Sequence, residues 1–128
     1  MTTSTYTVSC HILNSHIGKP LDNITCELYQ LNNDSQKLLA TQETDKDGRV
    51  GKDIWKYTKD NFTLTSGKTY MIRFQTKKCY YDIINEDTLY PYIDIPFFIS
   101  ENDTRTHYHI PLLLNNFGYT TYLSLIHI

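Results

Sequence analysis

Apolar and polar residues alternate along much of the chain, with the period of two that is typical of β-strands buried on one face. The first such segment begins at Tyr6 and continues its apolar face through Val8, Cys10 and Ile12, while His11 lies on the more polar face. Similar segments, each bounded by turn residues, predict further strands at residues 24–31, 38–43, 69–76 and 92–99. The pattern predicts an all-β fold, a sandwich of two antiparallel sheets with roughly seven or eight strands.

The clearest candidate chemistry lies in a strand–turn–strand segment near the C-terminus. A strand is predicted to begin at His107 and to end near Leu114, and residues 115–118 form a turn into a second strand that ends at Tyr122. Every second side chain of the first strand is apolar and suits a core, whereas His107 and His109 lie together on the opposite face. Two imidazoles on one face of a strand indicate a functional surface.

Other segments depart from simple alternation. Residues 54–55 predict a short edge strand, and residues 80–87 carry apolar side chains at helical spacing, which predicts about two turns of helix. Pro96 lies inside an apolar strand and predicts an edge position or a bulge, because proline has no N–H to donate to a sheet. Residues 18–20 and 44–49 are predicted as turns, the second one with Gly48 at positive φ.

Composition narrows the class of protein. The chain has 128 residues and 40% hydrophobic content, as expected for a single globular domain. A formal charge of -2 without clustered Lys or Arg argues against a nucleic-acid partner. Because no apolar run approaches the roughly 20 residues that span a bilayer, we expect no membrane partner either. We also see no secretory signal at the N-terminus.

The number and spacing of the cysteines indicate the kind of cellular compartment. Cys10, Cys26 and Cys79 are odd in number and lack Cys-x-x-Cys spacing, so a disulfide framework is not expected. A reducing compartment suits free thiols better. We therefore expect a cytoplasmic or peroxisomal location.

The histidines admit more than one interpretation from the residues alone. His107 and His109 could bind zinc with His11 as a third ligand, because histidines one residue apart on a strand share a face. No fourth ligand is evident from spacing, so a metal site stays one alternative. Another gives His107 a structural or minor role near the start of its strand. Arg49 would, on composition alone, be a solvent-facing turn residue.

Several segments share their order and spacing with one known family. They are His11-Ile12-Leu13-Asn14 with Gly18-Lys19-Pro20, Thr44-Asp45-Lys46-Asp47-Gly48-Arg49, Tyr90-Pro91, His107-Tyr108-His109-Ile110-Pro111-Leu112-Leu113-Leu114, and Phe117-Gly118-Tyr119-Thr120-Thr121-Tyr122. Together they resemble the transthyretin-like 5-hydroxyisourate hydrolases of urate degradation. The resemblance covers nearly the whole chain and is strong in combination, whereas any one segment would be weak.

The resemblance implies an architecture and a set of working residues. It implies an eight-stranded sandwich that assembles as a homotetramer, a dimer of dimers, with active sites in a channel at the junction of the dimers. It implies that His11 and His109 are catalytic, that Arg49 and Tyr122 bind the substrate, and that neither metal nor cofactor takes part. The histidine that acts as general base is left open. If the strand of His11 pairs with that of His109, both side chains share the outer face of one sheet.

The family also contains proteins that are not enzymes. The hormone-carrying transthyretins keep the fold but lose both histidines and the arginine, so the presence of His11, Arg49 and His109 favours the hydrolase. The alternative is a small-ligand binding module that has no catalysis.

The chain departs from the family pattern after Tyr122. The family ends Tyr-Arg-Gly-Ser, but this chain continues Leu123-Ser124-Leu125-Ile126-His127-Ile128. We expect one transthyretin-like domain over residues 1–128, in which residues 6–122 match the family and 123–128 form an atypical tail. Either the tail is genuine and impairs substrate orientation, which predicts reduced activity, or it is a non-native stretch that replaces the native ending.

Overall fold

Two five-stranded β-sheets make up the part of the chain that the computed structural model describes, which is residues 6–78, 89–102 and 105–122. In chain order the elements are β1 (Thr7–Asn14), β2 (Lys19–Pro20), β3 (Thr25–Asn32), β4 (Ser35–Glu43), β5 (Arg49–Val50), β6 (Lys56–Tyr57), β7 (Lys68–Phe74), α1 (Thr76–Lys78), β8 (Ile93–Ile99), β9 (His107–Leu114) and β10 (Tyr119–Thr121).

The first sheet has the strand order β10-β9-β1-β2, and β5 adds to it by pairing with β1. Its central pair, β1 and β9, is parallel, whereas its other pairs are antiparallel. The second sheet has the order β6-β4-β3-β7-β8 and is antiparallel. The predicted all-β sandwich of two sheets is confirmed, although the parallel pairing of β1 with β9 departs from the predicted antiparallel arrangement.

The core lies between the sheets and is built from the apolar face of each long strand. From the first sheet, β1 and β9 bury alternate side chains, including Ile12 and Leu112. From the second sheet, β3 and β7 do the same, including Leu28, Ile72 and Phe74. Each such side chain contributes roughly 1.5–3 kcal/mol when it leaves water. With the apolar faces turned inward, the histidines of β1 and β9 must lie outside.

The short elements differ most from expectation. The edge strand predicted at residues 54–55 lies instead at Lys56–Tyr57, because Trp55 turns into the core and donates from Nε1 to the Val8 carbonyl oxygen at 3.0 Å. Two-residue strands paired with β1, Lys19–Pro20 and Arg49–Val50, begin within the predicted turns at residues 18–20 and 44–49. These additions bring the described strands above the predicted seven or eight.

Two further predictions concern irregular positions. Pro96 lies on β8, the edge strand of the second sheet, as its missing N–H predicted. The helix predicted at residues 80–87 lies outside the described residues; before it, β7 ends at Phe74 and Thr76 begins the one-turn α1. None of the helices in the described ranges is long and apolar enough to cross a membrane.

Candidate active site

The parallel pairing of β1 with β9 brings two of the predicted site residues together. Ser9 stands opposite His109 and His11 stands opposite Pro111, so the side chains of His11 and His109 share the outer face of the first sheet. Their ring centroids are 6.3 Å apart and the ring planes differ by 27°. The expectation that these two histidines meet on one outer face is confirmed.

Arg49 joins this face through the short strand β5. Arg49 pairs directly with His11 in antiparallel register, so both side chains lie on the same side of the sheet. The preceding turn is held by Asp45, whose carboxylate Oδ1 accepts from the backbone N–H groups of Asp47 at 2.9 Å and Arg49 at 3.0 Å. Arg49 is exposed, as composition alone predicts, but it lies in β5 beside His11 and not in the turn itself.

Gly48 is the residue that allows β5 to reach β1. Its φ is +73°, and its carbonyl oxygen accepts from the N–H of Ile12 at 2.8 Å. A Cβ at this position would collide with the carbonyl oxygen of Ile12. Only glycine combines the left-handed conformation with this close approach, and the sequence prediction of positive φ at Gly48 is confirmed.

All three histidines of this face have a pKa below the ordinary value. Burial lowers the pKa of His109 most, and the neighbouring His11, His107 and Arg49 lower it further. Burial and then Arg49 lower the pKa of His11, although a hydrogen bond to the Asp47 backbone and nearby carboxylates oppose them. Burial and then Lys52 lower the pKa of His107. The imidazoles are therefore neutral near pH 7 and can accept protons.

A cavity of about 250 Å³ opens on this face. Its lining residues include Ser9, Arg49, Gly51, Lys52, His107 and His109. His11 is not among the lining residues, but its ring lies beside that of His109, with the centroids 6.3 Å apart. Neutral proton acceptors and a guanidinium thus converge on a space that suits a small planar molecule.

Ser9 and Thr7 take part in the site, although nothing in their sequence context indicated it. The Ser9 hydroxyl contacts both His107 and His109, and the Thr7 hydroxyl contacts His107. Both residues lie on the same face of β1 as His11, at the period of two that the sequence shows. The register of β1 against β9 would have been needed to find them.

Tyr122 lies elsewhere in the single chain. It lines a second cavity of about 250 Å³, together with Phe97, Tyr108, Ile110 and Thr121. This cavity shares no lining residue with the first one. The chain alone does not bring Tyr122 to the histidines, and its substrate-binding role stays a prediction.

The zinc alternative finds no support in the geometry. Within the described ranges no group of three or more His, Cys, Asp or Glu side chains could hold a metal ion. Both ring nitrogens of His107 contact hydroxyl groups, at 2.7 Å to Thr7 and 2.9 Å to Ser9. These contacts occupy the ring nitrogens that a metal would need.

Residues 8–123 match the model of the HIUase/Transthyretin family. The chain belongs to this family. A relative in it, the probable 5-hydroxyisourate hydrolase of Schizosaccharomyces pombe, is 39% identical over 118 residues, which are 90% of this chain and 88% of the relative.

Solved structures of the HIUase/Transthyretin fold match the sandwich closely. The 5-hydroxyisourate hydrolase of Klebsiella pneumoniae superposes with a TM-score of 0.71 at 24% identity, covering 93% of this chain and 98% of that one. The transthyretin of Sparus aurata superposes with a TM-score of 0.73 at 24% identity, covering 92% and 96%. Since an enzyme and a transthyretin match equally well, the fold does not separate the two functions.

Proposed function

We propose that this protein hydrolyses 5-hydroxyisourate by opening the cyclic amide of its six-membered ring, without a metal or cofactor. The observation that carries the proposal is the convergence of His11, His109 and Arg49 on one outer face, with the histidine rings 6.3 Å apart. The relative of S. pombe that bears this activity in its name supports the choice of substrate.

The proposed reaction is attack of water on the ring carbonyl. A neutral histidine takes a proton from the water, the water oxygen bonds to the carbonyl carbon, and the carbon–nitrogen bond breaks. The imidazolium gives this proton to the ring nitrogen as it leaves, and the new carboxylic acid then loses its own proton to solvent, so the product carries a carboxylate. We assign the base to His109, because it lines the cavity, and the orientation of water or substrate to His11.

Arg49 would bind the oxygen-rich substrate through its planar fork of N–H donors and stabilise the charge that develops on the attacked oxygen. Its positive charge has a second effect, because it disfavours imidazolium at both histidines. The arginine therefore acts on the substrate and on the base at once.

The direct test follows the ultraviolet decay of freshly made 5-hydroxyisourate with and without protein. We expect the protein to accelerate the decay over the spontaneous rate. In His109→Asn we expect this acceleration to fall by about 10²–10⁴-fold. His16→Asn, at an exposed position outside the site, is the matched control and should retain activity. No acceleration in a form that ends Tyr-Arg-Gly-Ser after residue 121 would contradict the proposal.

A small-ligand carrier is the competing function, supported by the fold match to the Sparus aurata transthyretin. It predicts saturable binding of a small aromatic ligand without turnover. Binding of that ligand would be indifferent to His109→Asn, whereas the hydrolase loses its rate.

We also propose a homotetramer, a dimer of dimers, for this chain. The cavity beside His109 is open on the single chain, and a subunit that covered it would exclude water from the site. Assembly would also allow Tyr122 to contact the site of another subunit, because its own chain does not bring it to the histidines. Sedimentation velocity tests the assembly, and a monomer with full activity would contradict it.

The compartment that we propose is the cytoplasm or the peroxisome. Cys10 and Cys26 are free thiols buried in the core, and such thiols suit a reducing environment. Imaging of a fluorescent fusion at the N-terminus, in the host organism, tests this; a secreted protein would contradict it.

A further inference from the structure

A row of hydrogen bonds runs along the β1–β9 pair behind the cavity. His109 Nδ1 lies 2.7 Å from the Ser9 hydroxyl oxygen, which also lies 2.9 Å from His107 Nε2. His107 Nδ1 lies 2.7 Å from the Thr7 hydroxyl, and this hydroxyl donates to the Thr106 carbonyl oxygen at 3.5 Å. The parallel register sets this order, since Thr7 stands opposite His107 and Ser9 opposite His109.

The end of the row favours one direction for these bonds. The Thr106 carbonyl can only accept, so the contact with it is used when Thr7 donates there, over a long 3.5 Å, and accepts from the Nδ1–H of His107 at 2.7 Å. A neutral imidazole that carries its proton on Nδ1 has a lone pair on Nε2, which accepts from Ser9. Ser9 has then used its own proton, so it accepts from the Nδ1–H of His109.

We infer that Ser9 and His107 are positioning residues that hold His109 in the Nδ1–H tautomer, so that its Nε2 lone pair is free to act as the base. Among the described residues, Nε2 of His109 has no hydrogen-bond partner, and the ring lines the cavity. The inference rests on the proposed function only for the use of that lone pair. The tautomer itself is a property of the resting protein.

This arrangement opposes the ordinary preference of imidazole. A neutral histidine side chain in water carries its proton mainly on Nε2, which would turn the base of the site into a donor. Ser9 is only 8% exposed, so water competes poorly for Nδ1. When Nε2 takes a proton during the reaction, the bond from Nδ1–H to Ser9 becomes charge-assisted and therefore stronger.

The first test is the tautomer of His109 in the full chain, measured by ¹⁵N NMR of the imidazole nitrogens at a pH where the ring is neutral. We expect Nδ1–H in the unchanged protein and a shift towards Nε2–H in Ser9→Ala. The matched control is Ser15→Ala, which removes a hydroxyl bonded to the Leu114 carbonyl at 3.2 Å at the far end of the same strand pair. It should leave the tautomer unchanged.

The second test separates hydrogen bonding from packing at His107. The amide of His107→Gln can accept from Ser9 and donate to Thr7, so we expect this variant to keep the tautomer of His109. His107→Leu fills a similar space without those bonds and should behave like Ser9→Ala. His16→Leu, at an exposed position, controls for loss of an imidazole.

The kinetic expectation is a fall in kcat of about tenfold for Ser9→Ala and for His107→Leu, with a smaller change in KM. The expected fall in kcat is well below the roughly 10⁴-fold loss seen when a catalytic histidine is held in the wrong tautomer. The reason is that these variants remove the preference of His109 for Nδ1–H but do not enforce Nε2–H. His107→Gln should recover most of the loss.

The results separate this inference from the proposed function. If His109 carries its proton on Nε2 in the unchanged protein, or keeps Nδ1–H in both Ser9→Ala and His107→Leu, the inference is wrong whatever the activity. If the tautomers behave as expected but the unchanged protein does not accelerate the decay of 5-hydroxyisourate, the positioning stands and the proposed hydrolase fails.

Discussion

Each sheet carries an arginine on its outer face, and the two arginines are partnered in opposite ways. On the second sheet, Arg73 forms a forked ion pair with Asp94 at 2.8 and 3.0 Å, and its guanidinium lies over the rings of Tyr29 and Tyr92 at 5.3 and 4.4 Å. On the first sheet, Arg49 has no carboxylate within ion-pair distance among the residues described.

This difference distinguishes an arginine that stabilises its sheet from an arginine that can bind a substrate. The hydrogen bonds to Asp94 raise the pKa of Arg73 and use the fork that could otherwise bind an anion. Within residues 6–78, 89–102 and 105–122, no side chain pairs with the fork of Arg49, which faces a cavity lined by His109. A charged side chain left without a partner beside neutral histidines suits a substrate, whereas a satisfied one suits a stable sheet.

The largest expected effect comes from exchanging each arginine for lysine. Arg49→Lys keeps the charge but loses the planar fork, so we expect kcat/KM for 5-hydroxyisourate to fall about a hundredfold. Arg73→Lys is the matched control on the other sheet, and we expect unchanged kcat/KM with at most about 1 kcal/mol of lost stability. Equal losses of kcat/KM in both variants would show that the two faces do not differ in function.

A second variant tests the turn that carries Arg49 to the first sheet. Gly48→Ala forces a Cβ against the Ile12 carbonyl, so we expect the free energy of unfolding to fall by roughly 2–3 kcal/mol and kcat/KM to fall with it. Gly18→Ala is the control, because Gly18 also has positive φ, +69°, but nothing lies within 4 Å of an added Cβ.

Chemical denaturation of both glycine variants measures these changes. Gly18→Ala should lose about 1 kcal/mol through its backbone conformation alone and keep its activity. If Gly48→Ala costs no more than Gly18→Ala, the close approach of β5 to β1 does not constrain the site.

The smallest effect concerns pH. The base must be neutral, and burial together with His11, His107 and Arg49 places the pKa of His109 below its ordinary value of 6.5. The midpoint of the acidic limb of activity is therefore expected below pH 6.5, because protons bind His109 at this lowered pKa. Arg49→Gln removes one opposing positive charge, so the acidic limb of kcat/KM should move to higher pH. A limb centred above 6.5 in the unchanged protein would contradict the assignment.

Most of the long strands could be predicted from alternation, because a period of two with one apolar face is a local property of the sequence. The edge position of Pro96 and the positive φ of Gly48 were also predictable, since both follow from the covalent structure of a single residue. The two-residue strands β2 and β5 could not be predicted, because their pairing with β1 depends on residues distant in sequence.

The sequence by itself determined the two-sheet sandwich, the outward side of the histidines and, through the family motifs, the choice of His11, Arg49 and His109 as candidate site residues. Only the tertiary structure decided that Ser9 lies between His107 and His109 and that Tyr122 lies beside a different cavity. The physical reason is register: the pattern along a strand sets which face a side chain takes, but the alignment of β1 with β9 sets which side chains meet across it.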